Sequence, residues 1–148
     1  MQPALHFNIY AMIVAVLANM FIGFLWFGPV FGRPWAKEMG YNIDEMKPDS
    51  KQMTKSMILM IVGTILSVFV LAHIVEVWRP SVWGQGADQA AWTYGFFGGF
   101  FTWIGFHVPM LLGQIAWESR SWKLFIINAG YHFVSLQAIG MILSYWRG

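Results

Sequence analysis

The chain has 148 residues, of which 57% are apolar and 11% are charged, and its formal net charge is +2. Soluble domains carry about 25% charged residues, so this composition excludes soluble, disordered and fibrous proteins, and a single compact unit uses the whole length. The sequence contains no cysteine, which excludes disulfides, Cys-ligated zinc and thiol chemistry. The small net charge gives no indication of nucleic-acid binding.

Four apolar stretches follow one another along the chain, and each is long enough to cross about 30 Å of hydrocarbon as a helix. They lie at about residues 7–27, 57–78, 92–115 and 122–146. Because the bilayer offers the backbone no water, each span must satisfy its own hydrogen bonds and is expected to be helical. The sequence therefore predicts an all-α integral membrane protein, an antiparallel four-transmembrane-helix bundle that forms a single domain over residues 1–148.

The connections between the spans are short, apart from a charged loop at about residues 33–56. Within this loop, residues 34–39 are a candidate for a short interfacial helix, and Gly28-Pro29 just before it is expected to break the first helix. The second loop covers residues 79–89, and its Asp88 is a predicted N-cap for the third span.

The basic residues predict the orientation of the bundle. Two of them, Arg79 and Arg147, lie on one side of the membrane, and the other seven lie on the opposite side: Arg33, Lys37, Lys47, Lys51, Lys55, Arg120 and Lys123. The positive-inside rule places these seven in the cytoplasm. We therefore expect a multi-pass protein of the inner (plasma) membrane with both termini outside the cytoplasm.

Small residues form a stripe along the third predicted span, at Gly95, Gly98, Thr102 and Gly105. These positions share one helix face, and such a face lets another backbone approach closely. Packing within the chain is one interpretation. The other is a seam between copies, so a homo-oligomer through this face is predicted, with membrane lipids as the remaining partners. Pro109 is expected to kink the same helix.

Polar residues of three spans lie at similar depths near the middle of the membrane. Counting about 1.5 Å per residue from each span's midpoint places Asn19 and His132 about 3 Å, and His107 about 6 Å, from the centre. A polar helix face at this depth must look at protein or water rather than at acyl chains. The candidate mid-membrane polar site comprises Asn19, His107, Asn128, Tyr131, His132 and Ser135. The alternative is that these groups form ordinary interhelical hydrogen bonds, and in a regular helix His107 points away from the glycine stripe.

A second cluster lies near the predicted outer surface, where His73 and Glu76 are three residues apart and His6 precedes the first span. Two histidines and a carboxylate could hold a divalent metal, and paired histidines could hold haem. No motif with a fixed metal spacing is present, so neither a metal nor a cofactor is predicted. We interpret His73 and Glu76 as a hydrogen-bonded pair at a helix end.

Catalytic signatures are missing from the sequence. The hydrolase, metalloprotease and phosphate-binding motifs are absent, and no pair of carboxylates lies within a span. No enzymatic activity is therefore predicted.

Two long strings carry a resemblance to a known family. They are residues 25–35 (LWFGPVFGRPW) and residues 117–131 (WESRSWKLFIINAGY), with shorter strings at residues 71–73 and 99–106. Together they resemble the bacterial membrane family catalogued as domain of unknown function 1761. The resemblance covers nearly the whole chain and implies a four-span inner-membrane protein, but it implies no activity. The family pattern includes Glu118 and Arg120 but neither His107 nor His132, which shifts the weight of the functional prediction to the cytoplasmic end.

Charged and tryptophan side chains gather at that end: Arg33, Trp35, Glu118, Arg120, Trp122 and Lys123. One interpretation is a topology clamp, in which Glu118 pairs with Arg120 or Arg33 while the tryptophans anchor the helix ends. The other is recognition of an anionic lipid headgroup by the basic side chains.

The sequence therefore predicts a non-enzymatic membrane protein that binds a lipid or a small amphipathic ligand near its cytoplasmic interface. The alternative is a small oligomeric transporter or channel with a polar mid-membrane path past Asn19, His132 and Ser135.

Overall fold

The computed structural model describes residues 3–47 and 49–147, and over these residues it contains six α-helices and no β-strand. The helices are α1 (Ile9–Leu25), α2 (Gly32–Glu38), α3 (Ser50–Val77), α4 (Ala91–Thr102), α5 (Val108–Glu118) and α6 (Trp122–Tyr145). Four continuous stretches are long and apolar enough to cross a membrane: Ile9–Val30, Ser50–Val77, Ala91–Glu118 and Trp122–Tyr145. The predicted fold class, an all-α membrane protein with four spans, is confirmed.

The two ends of the bundle are named here by a residue. The Glu76 end holds the N-termini of α1 and α4 and the C-termini of α3 and α6, and the Arg33 end holds α2, the C-termini of α1 and α5, and the N-termini of α3 and α6. Helix α6 packs against α1, α3, α4 and α5. It therefore forms the centre of the bundle.

Helix α3 begins at Ser50, whereas the hydropathy pattern placed the start of its span at about residue 57. The Asp49 side chain caps it by accepting hydrogen bonds from the backbone N–H groups of Lys51 at 3.0 Å and Gln52 at 3.3 Å. The predicted span was shorter than the helix, because hydropathy marks only the apolar part of a helix and two polar turns precede that part.

Two of the spans contain a widened, π-type turn, at Trp26–Val30 and at Trp103–His107. In the first, Gly28 leaves helical geometry with φ −103° and ψ −105° just before Pro29, and α2 then begins at Gly32. In the second, Pro109 follows as one of the first residues of α5. A proline ring clashes with the carbonyl group four residues earlier in a regular helix. Both irregular turns therefore lie where the sequence predicted a break or a kink. Helix α2 overlaps the short interfacial helix expected at residues 34–39.

Most of the hydrophobic core lies toward the Glu76 end. It includes Ala11 and Ala15 of α1, Leu71 and Val75 of α3, and Ile139 of α6, each at most 1% exposed. The two alanines let α1 come close to its neighbours, because interhelical packing in membranes depends on small residues.

Helices α4 and α6 approach almost to backbone contact at Gly95 and Gly140. A Cβ atom placed on Gly95 would lie 2.8 Å from the carbonyl oxygen of Gly140 and 2.6 Å from the Ser144 hydroxyl. No side chain fits at this crossing without moving the two helices apart.

The predicted glycine face is therefore largely occupied within the chain. A Cβ on Gly98 would lie 3.3 Å from Val75 of α3, and the Thr102 hydroxyl donates to the Gly98 carbonyl at 2.7 Å. Of the three glycines in the predicted stripe, only Gly105 has open space around it. The homo-oligomer stays a prediction, but contact between copies could not use Gly95 or Gly98.

The half of α3 toward the Arg33 end stands apart from the bundle. Every side chain in residues 50–63 is exposed, whereas Thr64, Val68 and Leu71 beyond them are buried. Helix α3 therefore joins the bundle near Thr64 and leaves an uncovered stretch of helix on the other side of that residue.

Candidate functional site: a polar cleft at mid-membrane depth

A cavity of about 220 Å³ lies where α3 leaves the bundle. Its polar lining comes from all four spans: Asn19, Thr64, Ser67, His107, Tyr131, His132 and Ser135. Apolar side chains complete the wall: Leu59, Met60, Leu136 and Ile139. We call this cavity the polar cleft. It borders the surface that faces lipid, because Leu59 and Met60 are 62% and 48% exposed.

Asn19 is the hydrogen-bonding centre of the polar cleft and is buried. Its amide nitrogen donates to the Thr64 hydroxyl at 2.8 Å. Its amide oxygen accepts from the Tyr131 hydroxyl at 3.4 Å and from the Ser135 hydroxyl. One side chain of α1 thus ties α3 to α6 in the middle of the membrane, where a bonded amide avoids the cost of facing hydrocarbon.

The two histidines of the polar cleft face each other, with ring centroids 4.6 Å apart, and the His132 ring also lies 5.1 Å from that of Tyr131. A regular helix would turn His107 elsewhere. The widened turn Trp103–His107 changes the register of the residues that follow it, and the structure accordingly brings His107 to α6.

Five of the six predicted mid-membrane residues therefore line one cavity, and Asn128 does not. Asn128 lies one turn closer to the Arg33 end, where it is half-buried. The predicted site did not include Thr64 or Ser67, which also line the cavity. The signal was present, because Thr64 and Ser67 are three residues apart in an otherwise apolar helix.

At the Glu76 end, four charged side chains form a closed network. Arg79 is buried and lies 3.2 Å from one oxygen of Glu76 and 3.4 Å from Asp88. Arg147 lies 3.1 Å from the other oxygen of Glu76 and 3.2 Å from Asp88. The two arginines and two carboxylates balance in charge, which permits burial of an otherwise costly group.

Further contacts attach this network to two helices. Arg79 donates to the Ser144 carbonyl of α6 at 2.8 Å, and its guanidinium carbon lies 4.5 Å from the ring centroid of Tyr94 in α4. The network thus locks the ends of α3, α4 and α6 to one another.

Asp88 does not cap α4, as the sequence had predicted; the N-cap position is Ala90. Its carboxylate instead accepts from the backbone N–H and the hydroxyl of Ser81, both at 2.9 Å. Partial burial raises the pKa of Asp88, but the hydrogen bonds from Ser81 and the charge of Arg79 outweigh it and hold the pKa below its ordinary value.

The predicted pairing of His73 with Glu76 is wrong, because the Glu76 carboxylate pairs with Arg79 and Arg147. The His73 ring nitrogen Nδ1 lies 2.8 Å from the Phe69 carbonyl, and the ring packs on Phe7 and Phe69 at 4.5 Å. His6 is exposed and borders only a very small cavity beside Glu76. Among the described residues, no group of three or more His, Cys, Asp or Glu side chains is placed to hold a metal ion.

The residues predicted at the Arg33 end do not form one cationic site. Lys123 lies 3.8 Å from Glu38, whose carboxylate also accepts from the Ser121 hydroxyl. Arg120 lies 3.7 Å from Glu118, which is one of the two pairings that the sequence predicted for Glu118. The remaining predicted cation, Arg33, borders a shallow groove made by α2 and the following turn. The groove is lined by Arg33, Lys37, Gly40, Tyr41, Asn42 and Ile43. The Trp35 ring of α2 packs against the Phe27 ring, and Trp122 is 62% exposed.

The four spans and the polar residues between them define a multi-pass membrane protein. The chain belongs to the family described as "protein of unknown function (DUF1761)", whose match covers residues 10–144, nearly its whole length. The resemblance predicted from the sequence is confirmed. Comparison with curated proteins and with solved structures finds no match.

Proposed function

We propose that this chain is a non-enzymatic membrane protein that binds a lipid or a small amphipathic ligand, with the polar part of the ligand in the polar cleft. One observation carries the proposal: seven polar side chains converge at mid-membrane depth on a cavity of about 220 Å³ that borders lipid. A polar void in hydrocarbon is unfavourable unless water or a ligand satisfies its groups. Structural hydrogen bonds alone require no such space.

The predicted headgroup site at the Arg33 end is less well supported. Two of its cations, Arg120 and Lys123, lie beside carboxylates, which compete with an anionic headgroup for the same charge. Arg33 and Lys37 share a groove and retain a role in attracting anionic lipids to the membrane surface. We propose this surface as an auxiliary contact with lipid rather than as the main site.

The test fills the polar cleft with a larger side chain and measures whether a bound ligand is lost. A Cβ on Gly63 would meet open space, and its neighbours Met60 and Thr64 line the cleft, so Gly63→Leu places a side chain in it. Gly113→Leu is the matched control, since a Cβ there also meets open space. Native mass spectrometry from a mild detergent should detect a small-molecule adduct on the wild type and on Gly113→Leu, and none on Gly63→Leu. Equal adducts on all three proteins would contradict the proposal.

The alternative proposal is a small transporter or channel. It is favoured by the contrast between a locked Glu76 end and an open Arg33 end, which exposes a mid-membrane polar layer to one side. Proteoliposomes that enclose a pH-sensitive dye should then pass protons faster than empty liposomes, and Gly63→Leu should remove the difference. Equal proton flux in the two kinds of liposome would argue against a proton path.

We further propose that the protein lies in a bacterial inner membrane with the Arg33 end in the cytoplasm and both termini outside, because seven of the basic residues are at that end. The cysteine-free chain offers a clean background for a test. A cysteine placed at Gln85 should react with a membrane-impermeant maleimide in intact cells, and one placed at Lys47 should react only after lysis. The reverse pattern would overturn this orientation.

A further inference from the structure

We propose that the polar cleft selects an uncharged ligand whose head is a hydroxyl group and whose tail is apolar, such as a long-chain alcohol or a diacylglycerol. This inference rests on the proposed function and names the chemical class of its ligand. It follows from the charge, the hydrogen-bonding capacity and the size of the polar cleft.

The charge of the lining excludes an ionic head. None of the described residues around the polar cleft is Asp, Glu, Lys or Arg. A phosphate, carboxylate or ammonium group would therefore enter a site in hydrocarbon without a counter-charge, which is strongly unfavourable. A neutral head carries no such penalty.

Most hydrogen-bond donors of the polar cleft are already used within the protein. Asn19 donates to Thr64, and the hydroxyls of Tyr131 and Ser135 donate to Asn19. The Ser67 hydroxyl donates to the carbonyl of Gly63 at 3.1 Å. The three hydroxyl groups have no proton left for a ligand, and Asn19 keeps only the second N–H of its amide, but the hydroxyl oxygens keep lone pairs that can accept.

The tautomer of His107 follows from its neighbour. Its Nδ1 atom lies 3.4 Å from the Thr102 carbonyl, and a carbonyl oxygen can only accept, so Nδ1 carries the proton. In a neutral imidazole the other nitrogen, Nε2, is then an acceptor. The polar cleft thus offers several acceptors, together with donors that remain on Asn19, Thr64 and His132. A hydroxyl group can donate to the acceptors and also accept from these donors, whereas a ketone or an ester can only accept.

The size of the polar cleft limits what it can enclose. Its volume of about 220 Å³ lies below the roughly 300–1,000 Å³ of sites that bury a whole drug-sized ligand, and it equals the volume of about seven waters. Only a head fits inside. Exposed Leu59 and Met60 at the mouth leave the tail among the acyl chains, so a membrane-dissolved ligand fits better than a free short alcohol.

The experiment compares probes that differ only in their heads. Three hexadecyl probes with a diazirine beside an alcohol, an amine or a carboxylic acid head are photolysed with the protein in lipid nanodiscs, and labelled peptides are mapped by mass spectrometry. The alcohol should label α3 and α6 around the polar cleft at least several-fold more than the other two. Hexadecanol should compete with it, and butanol at the same concentration should not.

The outcomes separate the two proposals. Stronger labelling of the polar cleft by the amine or the acid would overturn the hydroxyl assignment and leave the proposed function standing. Competition by butanol equal to that by hexadecanol would overturn the requirement for a tail. Absence of labelling by all three probes, together with an adduct that Gly63→Leu removes, would also overturn the hydroxyl assignment alone. If that adduct is missing as well, the proposed function fails too.

Matched variants test the acceptor on His107. His107→Phe keeps a ring but removes Nε2, and labelling by the alcohol should fall roughly two- to tenfold, the range that one hydrogen bond supports. His73→Phe is the control, because the His73 Nδ1 also lies beside a carbonyl of its own helix, outside the polar cleft. Ser67→Ala removes a hydroxyl that bonds only within α3, and it should also lower labelling by the alcohol. Ser144→Ala is its control, because the Ser144 hydroxyl likewise bonds within its own helix. Unchanged labelling in both His107→Phe and Ser67→Ala would overturn the assignment.

Discussion

The Glu76 end and the Arg33 end of the bundle are held together by different contacts. At the Glu76 end, a network of four charges and a glycine crossing hold α3, α4 and α6 together. Toward the Arg33 end, α3 stands exposed over residues 50–63, and the polar cleft opens where it departs. Because the contacts at the Glu76 end stabilise the bundle, the fold can tolerate an open cleft toward the Arg33 end.

This contrast indicates a division of labour within one small chain. The Glu76 end acts as a scaffold, because its charged side chains pair with one another across the helix ends. The polar cleft has acceptor groups and volume to spare. Substitutions at the two ends should therefore have opposite consequences, with stability changing at the Glu76 end and ligand binding changing at the polar cleft.

The largest effect on stability is expected from Glu76→Ala. The change leaves Arg79 buried with only Asp88 as a counter-charge, and it should lower the free energy of unfolding by about 3 kcal/mol. Unfolding in mixed SDS and detergent micelles measures the loss. Glu118→Ala is the control, because the Glu118–Arg120 pair is exposed and should contribute less than about 1 kcal/mol. Similar losses in the two variants would remove the distinction between the ends.

Gly95→Ala should come next, with a loss of about 1–3 kcal/mol. The new methyl group would lie 2.8 Å from the Gly140 carbonyl oxygen, so α4 and α6 must separate. The same unfolding assay applies. Gly113→Ala, where a methyl group meets open space, should cause no loss. A neutral Gly95→Ala would mean that the crossing is looser than described.

Acid should weaken the Glu76 end selectively. The pKa of Asp88 in the folded state is lower than its ordinary value of 3.8, so its contribution to stability is fully present above that value and is lost as the pH falls through the folded-state pKa. The unfolding midpoint should therefore drop below about pH 4, and Asp88→Asn should show a smaller drop. An equal acid response in the variant would assign the effect to other carboxyls.

The smallest effect is expected in the polar cleft. Thr64→Val removes the partner of the Asn19 amide, and interhelical hydrogen bonds in membranes are worth about 0.6 kcal/mol on average. The unfolding assay should detect a change of that order, and Thr54→Val, whose hydroxyl bonds within exposed α3, should give none. A loss as large as that of Glu76→Ala would show that the cleft is a structural centre rather than a binding site.

The sequence was informative wherever one helix could be considered by itself. Hydropathy located the four spans, Gly28-Pro29 and Pro109 located the two irregular turns, and counting depth brought Asn19, His107 and His132 to similar depths. Each of these inferences needs only helix geometry and the thickness of a bilayer.

Features that depend on pairing between distant segments could not be predicted in the same way. The partners of Glu76 are Arg79, three residues along, and Arg147, near the opposite end of the chain. Charge counting used both arginines for topology and could not show that they meet. The contact of His107 with His132 depends on a widened turn, whose change of register no ideal helix includes. The separation of α3 from the bundle left no pattern, because lipid and protein neighbours select equally apolar residues.

The uncovered part of α3 gives the molecule a lever. Fourteen residues at about 1.5 Å each place Ser50 about 20 Å along the axis from Thr64, so a tilt of about ten degrees at Thr64 moves the far end by about 3–4 Å. Where this stretch meets the bundle, the Asn19 amide donates to the Thr64 hydroxyl, and α3 packs into the core beyond that residue. A swing of this helix alone could widen or narrow the entrance for a lipid tail while the opposite end of the protein stays still.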